Sequence, residues 1–207
     1  MTGYTIRSRP ANAKPSSPRL PRRACSTALD AYASQGGWTR ARHNWNLVCN
    51  GGVIVASLAI AEEDPALAKK MLGLALGSIR YGLSAYDEFG GTAEGPMYHS
   101  YATRYLTFAA AALKTAADDE RLQSACVQKS QRFANWTGAG TYRLAMFGPS
   151  GKVANFGDGN EILGNTAWMF WLGQTFMKED FAVFQTAADR DDPSIFDLLW
   201  YFPNQAR

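Results

Sequence analysis

From about residue 25 onward, apolar side chains recur at three- and four-residue steps, and segments alternating with a period of two are scarce. That pattern predicts helices. Asp64 followed by Pro65 reads as an N-cap with proline at the first helical position. The helix it opens runs to about residue 86, with Leu72, Leu76, Ile79, Leu83 and Tyr86 along one apolar face. Gly73, Gly77 and Gly82 weaken it by up to about 1 kcal/mol each relative to alanine where exposed, and such small residues also let helices approach closely. Upstream, residues 46 to 62 are almost entirely apolar, with Leu47, Val48, Val53, Ile54, Leu58 and Ile60, so this helix is expected to be buried all round. After a loop over 87–96, further helices are expected at 97–117 and 119–135. Glycines at 138, 140, 148, 151, 157 and 159 then punctuate a long connection, with a short extended piece around 152–156. Helices resume at 161–177, 181–188 and 194–201.

Buried and amphipathic helices alternate, with polar-aromatic loops at one kind of junction. The expected class is all-α, with at least six helices, mostly antiparallel neighbours, and little sheet. Stacked helical hairpins of this kind suit an α/α toroid or a helical-repeat array. No fixed-period repeat is visible, which favours the toroid.

Composition changes the picture at the N-terminus. The chain has 207 residues, 46% of them hydrophobic and 19% charged, which excludes a wholly disordered chain or a coiled coil. The longest apolar stretch, residues 53–61, is too short for a membrane span. The net charge of +3 belongs to residues 1–24, which carry Arg7, Arg9, Lys14, Arg19, Arg22 and Arg23, no acid, and four of the nine prolines. Without those six, the 21 basic residues fall to 15, against 18 acidic ones. The basic balance is therefore no sign of nucleic-acid binding by the body. Residues 1–24 read as a disordered tail with no apolar core of a signal peptide, and residues 25–207 as the folded domain.

Three clusters carry candidate chemistry. The first is Arg42-His43-Asn44-Trp45-Asn46 through Cys49-Asn50, where Asn46 and Asn50 share a helix face. Those amides serve either buried hydrogen bonding or a polar site. The second is Glu94-Gly95-Pro96-Met97-Tyr98-His99 through Tyr101, Arg104 and Tyr105, a phenolic helix face open to core packing or chemistry. The third is Asn155-Phe156-Gly157-Asp158 through Glu161, where Asp158 or Asn160 either caps the next helix or Asp158 faces a ligand. With two histidines and three cysteines at unpaired spacing, no metal site is supported, and no cofactor is implied.

Asn44-Trp45-Asn46 with Val48-Cys49-Asn50-Gly51-Gly52, then Glu94-Gly95-Pro96 with Tyr98 and Tyr101, then Asn155-Phe156-Gly157-Asp158 resemble the heparinase II/III-like polysaccharide lyases. The resemblance covers roughly residues 29 to 202. It implies an α/α toroid joined to a C-terminal β-sandwich, acting outside the cytoplasm on an acidic, uronic-acid polysaccharide or oligosaccharide by β-elimination. The expectation here is an incomplete toroid of antiparallel hairpins without the sandwich, exposing apolar surface where the missing parts would pack. Two positions depart from the family pattern: His43 stands where the family often has a second Asn, and His99 where it has an aromatic.

β-Elimination needs a neutralised carboxylate, a base for the C5 proton and an acid for the leaving oxygen. Asn46 and Asn50 are candidate donors to the carboxylate, with His43 and Asn44 beside them. A tyrosine can perform both proton transfers, and the resemblance places that role at Tyr98, with Tyr101 as runner-up. Arg104 and His99 are the candidate positive neighbours, Glu94 and Asp158 candidate sugar contacts, and Trp45 a candidate sugar platform. Two alternatives stand beside the lyase: a non-catalytic carbohydrate-binding or scaffold fragment, and a glycoside hydrolase on a helical toroid using Glu94 and Asp158.

Overall fold

The computed structural model describes residues 19–116, 135–162, 166–188 and 194–201. Most of the tail and the helix expected at 119–135 lie outside them. Among the described residues the chain is helical, without a strand or sheet. The helices are α1 (Arg19–Ser34), α2 (Asn44–Ala59), α3 (Pro65–Leu83), α4 (Gly95–Ala116), α5 (Ala139–Ala145), α6 (Trp168–Phe176), α7 (Glu179–Ala188) and α8 (Ile195–Trp200), with a 3-10 turn at Gly37–Arg40. None of the helices is long and apolar enough to cross a membrane.

Helix α2 is the centre of the N-terminal half and packs most extensively on α3 and α4. Near its start, Asn46 meets Ser78 and Gly82 at the end of α3, so α2 and α3 are antiparallel. Tyr32 at the end of α1 donates to Asn50 near the start of α2 at 2.7 Å, while Cys25 faces Ser57 near its end, so α1 is antiparallel too. Helices α2 and α4 instead run parallel. Asn44 meets Glu94 at their starts, and Gly51 abuts Tyr105 farther along. Helices α6 and α7 form an antiparallel hairpin, closed by Thr166 donating to Gln185 at 2.6 Å and by Gly173 against Phe181.

Several expectations need correction. Helix α1 begins at Arg19, inside the segment read as tail, because Cys25, Ala28 and Tyr32 form a buried stripe on α2. Helix α2 is not buried all round: Trp45 is 62% exposed and Val55 40%. Its described neighbours cover two flanks and leave the third open. On α3 the Asp64 cap holds, accepting from the Leu67 N–H at 3.2 Å, and Ile79, Leu83 and Tyr86 of the expected face are buried, but the buried line also takes in Ala68, Met71, Ala75, Ser78 and Gly82. Leu72 and Leu76 are half-buried. Small side chains win the central line because α2 approaches closely there: a Cβ on Gly82 would lie 2.7 Å from both Asn46 Oδ1 and Leu47 Cγ. Gly77 has open space around it.

The glycine-rich connection contains helix α5, and its extended piece reduces to one bridge between Phe147 and Val153. The helix expected from residue 161 begins at Trp168, with Ala167 at its N-cap, so neither Asp158 nor Asn160 caps it. At α8, Ser194 and Asp197 form a reciprocal capping box, yet Ile195, Leu198 and Leu199 point into solvent.

The two glycine environments predict opposite outcomes. Gly82→Ala should destabilise the protein by about 1–3 kcal/mol through overpacking. Gly77→Ala should stabilise it by about 0.5–1 kcal/mol through helix propensity. Urea unfolding of both variants checks the pair.

Candidate functional site

The three clusters converge at one end of the helical layer. Glu94 lies just ahead of α4, and its carboxylate accepts from the Asn44 backbone N–H at 2.7 Å and from the Asn44 side-chain amide at 2.5 Å. This two-point bond joins the starts of α2 and α4. The third cluster lies on the same place. Gly95 has φ +86°, and a Cβ there would sit 2.4 Å from the Phe156 carbonyl oxygen. Gly157 abuts the Glu94 carbonyl, and Gly159 abuts Met97. Asp158, between those two glycines, is exposed over the start of α4.

Around this junction the open side chains are mostly flat and apolar-faced. Trp45 stands in solvent with the half-buried His43 ring 6.1 Å away. On α4, Tyr98 is half-buried and Tyr101 is 39% exposed. Tyr105 continues the face, its ring 5.2 Å from Tyr101 in an edge-on arrangement. Partial burial, then a hydrogen bond with Tyr105, raise the pKa of Tyr101, with nearby charges contributing less. That shift favours the protonated phenol, which suits an acid better than a base.

Asn46 and Asn50 do not face this surface. Both are fully buried and turn toward α3, α1 and the 3-10 turn. The Asn46 amide nitrogen lies 3.0 Å from the Trp38 carbonyl, 3.2 Å from that of Thr39 and 3.2 Å from Ser78 Oγ. Its oxygen accepts from the Gly82 N–H at 3.0 Å. Asn50 donates to the Asn46 carbonyl at 2.7 Å and to Ser78 Oγ at 3.0 Å, and accepts from Tyr32. Of the two roles the sequence left open, these amides serve buried hydrogen bonding and are not donors toward a sugar carboxylate, because the carbonyls and Ser78 lie on the closely packed flank of α2. Ser78 was the overlooked residue. Its signal was a lone polar side chain on the buried line of α3.

His99, a candidate positive neighbour of the tyrosines, does not face this surface either, and burial keeps its ring neutral. It is fully buried among Tyr86, Tyr142 and Trp168, with ring centres 5.7, 4.4 and 6.2 Å away. Its Nε2 donates to the Gly90 carbonyl at 2.8 Å, and Nδ1 has no hydrogen-bond partner among the described residues. The residue therefore pins the loop between α3 and α4, which Asp87 also organises by accepting from the Phe89 and Gly91 N–H groups at 2.9 and 2.8 Å. Arg104 is half-buried, and lines a cavity shared with α6 and α8.

Among the described residues no group of three or more His, Cys, Asp or Glu side chains is placed to hold a metal ion. Comparison of the sequence with protein-family models and with curated proteins gives no match.

The environment of His99 predicts a pH dependence. Burial lowers its pKa to about 4; the Gly90 bond and Asp87 oppose the shift, and Arg143 adds to it. The unfolded chain then binds the proton more readily than the folded one, so stability is complete above an unfolded pKa of about 6.5 and falls as pH drops toward 4. The full loss is about 3 kcal/mol. Chemical denaturation at several pH values should show this slope, and His99→Phe should flatten it between pH about 6.5 and 4 whatever it does to absolute stability.

Proposed function

We propose that the chain is the helical part of a heparinase II/III-like polysaccharide lyase, a partial α/α toroid engaging an acidic oligosaccharide at the starts of α2 and α4. What carries the reading is the meeting of three sequence clusters, more than a hundred residues apart at the extremes, at the Asn44–Glu94 junction. The parallel α2 and α4, with α1 and α3 antiparallel beside α2, have the alternation that a toroid repeats. Trp45 offers the apolar face of a sugar platform. Tyr98 is the proton-transfer residue, with Tyr101 as the acid beside it. With Asn46 and Asn50 committed to the helix frame, His43 is the donor for the sugar carboxylate.

One observation favours a second reading, a carbohydrate-binding fragment without catalysis. The Asn44, Asn46 and Asn50 side-chain amide nitrogens all donate within the protein, which removes the strongest stabilisers of an enolate-like intermediate.

Incubation with uronic-acid polysaccharides, read by the ultraviolet absorbance of the unsaturated product, separates the two. The lyase reading expects turnover that Tyr98→Phe lowers by about 10²–10⁴-fold while calorimetric binding is retained. Binding without absorbance change supports the second reading. Absence of both overturns both.

A further inference from the structure

Helix α2 carries no acidic or basic side chain over its 16 residues, yet one flank of it faces solvent. Trp45, Val48, Gly52, Val55 and Ala59 follow one another at three- and four-residue steps and so share that face. Trp45 is 62% exposed and Val55 40%, Gly52 and Ala59 are open, and Val48 is half-buried. The solvent face of a helix ordinarily carries charge, as that of α3 does with exposed Lys69, Lys70 and Arg80. A continuous apolar stripe marks an interaction surface instead.

The stripe fits a copy of itself. Gly52 lies at its middle, with nothing within 4 Å of where a Cβ would be. Trp45 and Ala59 each lie seven residues from it, about 10.5 Å along the axis. In a second α2 laid antiparallel, with a two-fold axis at Gly52, the bulky Trp45 of each copy comes beside the small Ala59 of the other. The bare glycines meet at the axis, where the backbones can approach closely. Charge selects the same arrangement. Arg42 just ahead of α2 and Glu62 just after it are exposed, each ten residues from Gly52, and neither makes an ion pair among the described residues. Antiparallel pairing brings Arg42 of each copy toward Glu62 of the other. Parallel pairing would set like charges together at both ends.

We propose that the chain self-associates through the open face of α2, as an antiparallel two-fold dimer centred on Gly52. The inference does not rest on the function proposed above. A second copy covers Trp45, so dimer formation and a sugar on Trp45 exclude one another. One pair of helices about 24 Å long buries less than the roughly 1,200 Å² of a tight complex, so the association is weak and reversible.

Sedimentation equilibrium of the full chain from about 1 to 500 µM should show monomer and dimer exchanging with a dissociation constant of about 10 µM. Gly52→Lys puts like charges at the axis while improving helix propensity, so it should weaken the dimer at least about tenfold without lowering the melting temperature of the monomer. Gly77→Lys, at an equally open glycine on α3, should leave the dimer unchanged. Arg42→Glu should weaken it about tenfold, and adding Glu62→Arg should restore it. A chain that stays monomeric over the whole range overturns the proposal, as does an assembly larger than a dimer. So does a dimer that Gly52→Lys leaves intact, or that both lysine variants weaken alike. Failure of Glu62→Arg to restore association in Arg42→Glu overturns the antiparallel pairing, and that result stands even if Gly52→Lys does not fold.

Discussion

The amide of Asn46 is the constraint around which the N-terminal half is arranged. A primary amide on an apolar helix costs about 1–3 kcal/mol if buried unsatisfied, so α2 can be a core helix only where partners come to it. Those partners are the carbonyls of the 3-10 turn and, on α3, Ser78 and the Gly82 N–H, drawn from two separate stretches of chain. Asn50 extends the network by one turn and ties in Tyr32 of α1. The same flank needs small side chains, which is why Gly82 lies against Leu47. On the opposite flank Gly51 brings the α2 and α4 backbones together, where a Cβ would sit 2.7 Å from the Tyr105 carbonyl oxygen.

The orientation of the candidate site follows from that arrangement. With Asn46 and Asn50 turned to α3 and α1, the first turn of α2 presents Trp45 outward and Asn44 toward Glu94. Glu94 sets the two helix starts level, and the backbone contact between Gly95 and Phe156 brings in the third cluster. Behind this surface, His99 holds the loop before α4 in an environment that keeps its ring neutral. Residues that a sequence reading groups as one site therefore divide between a solvent face and the frame beneath it. Neighbours on α4 show the division most plainly: Tyr98 is half-open, while His99, one residue on, is sealed in the core.

Much of this was legible in the sequence, and the limits have physical causes. The all-α class, the Asp64–Pro65 start of α3 and the Ser194 start of α8 were readable because helical periodicity and capping are local. Helix α1 was missed in part because basic and proline-rich residues precede its buried stripe, and α5 because glycines flank it and lie within it. The start of α6 was placed too early because Asp158 and Asn160 look like caps, whereas they belong to a loop packed on α4.

By itself the sequence determined that the chain forms helices, which of them carry apolar faces, and that three polar-aromatic clusters mark the candidate chemistry. Only the tertiary structure decided which members of those clusters meet solvent. Helical spacing assigns a side chain to a face, but whether that face is core or surface depends on which neighbour approaches it. Asn46 and Asn50 were buried by the close approach of α3 and α1, and Trp45 was left open because the described helices leave that side of α2 uncovered.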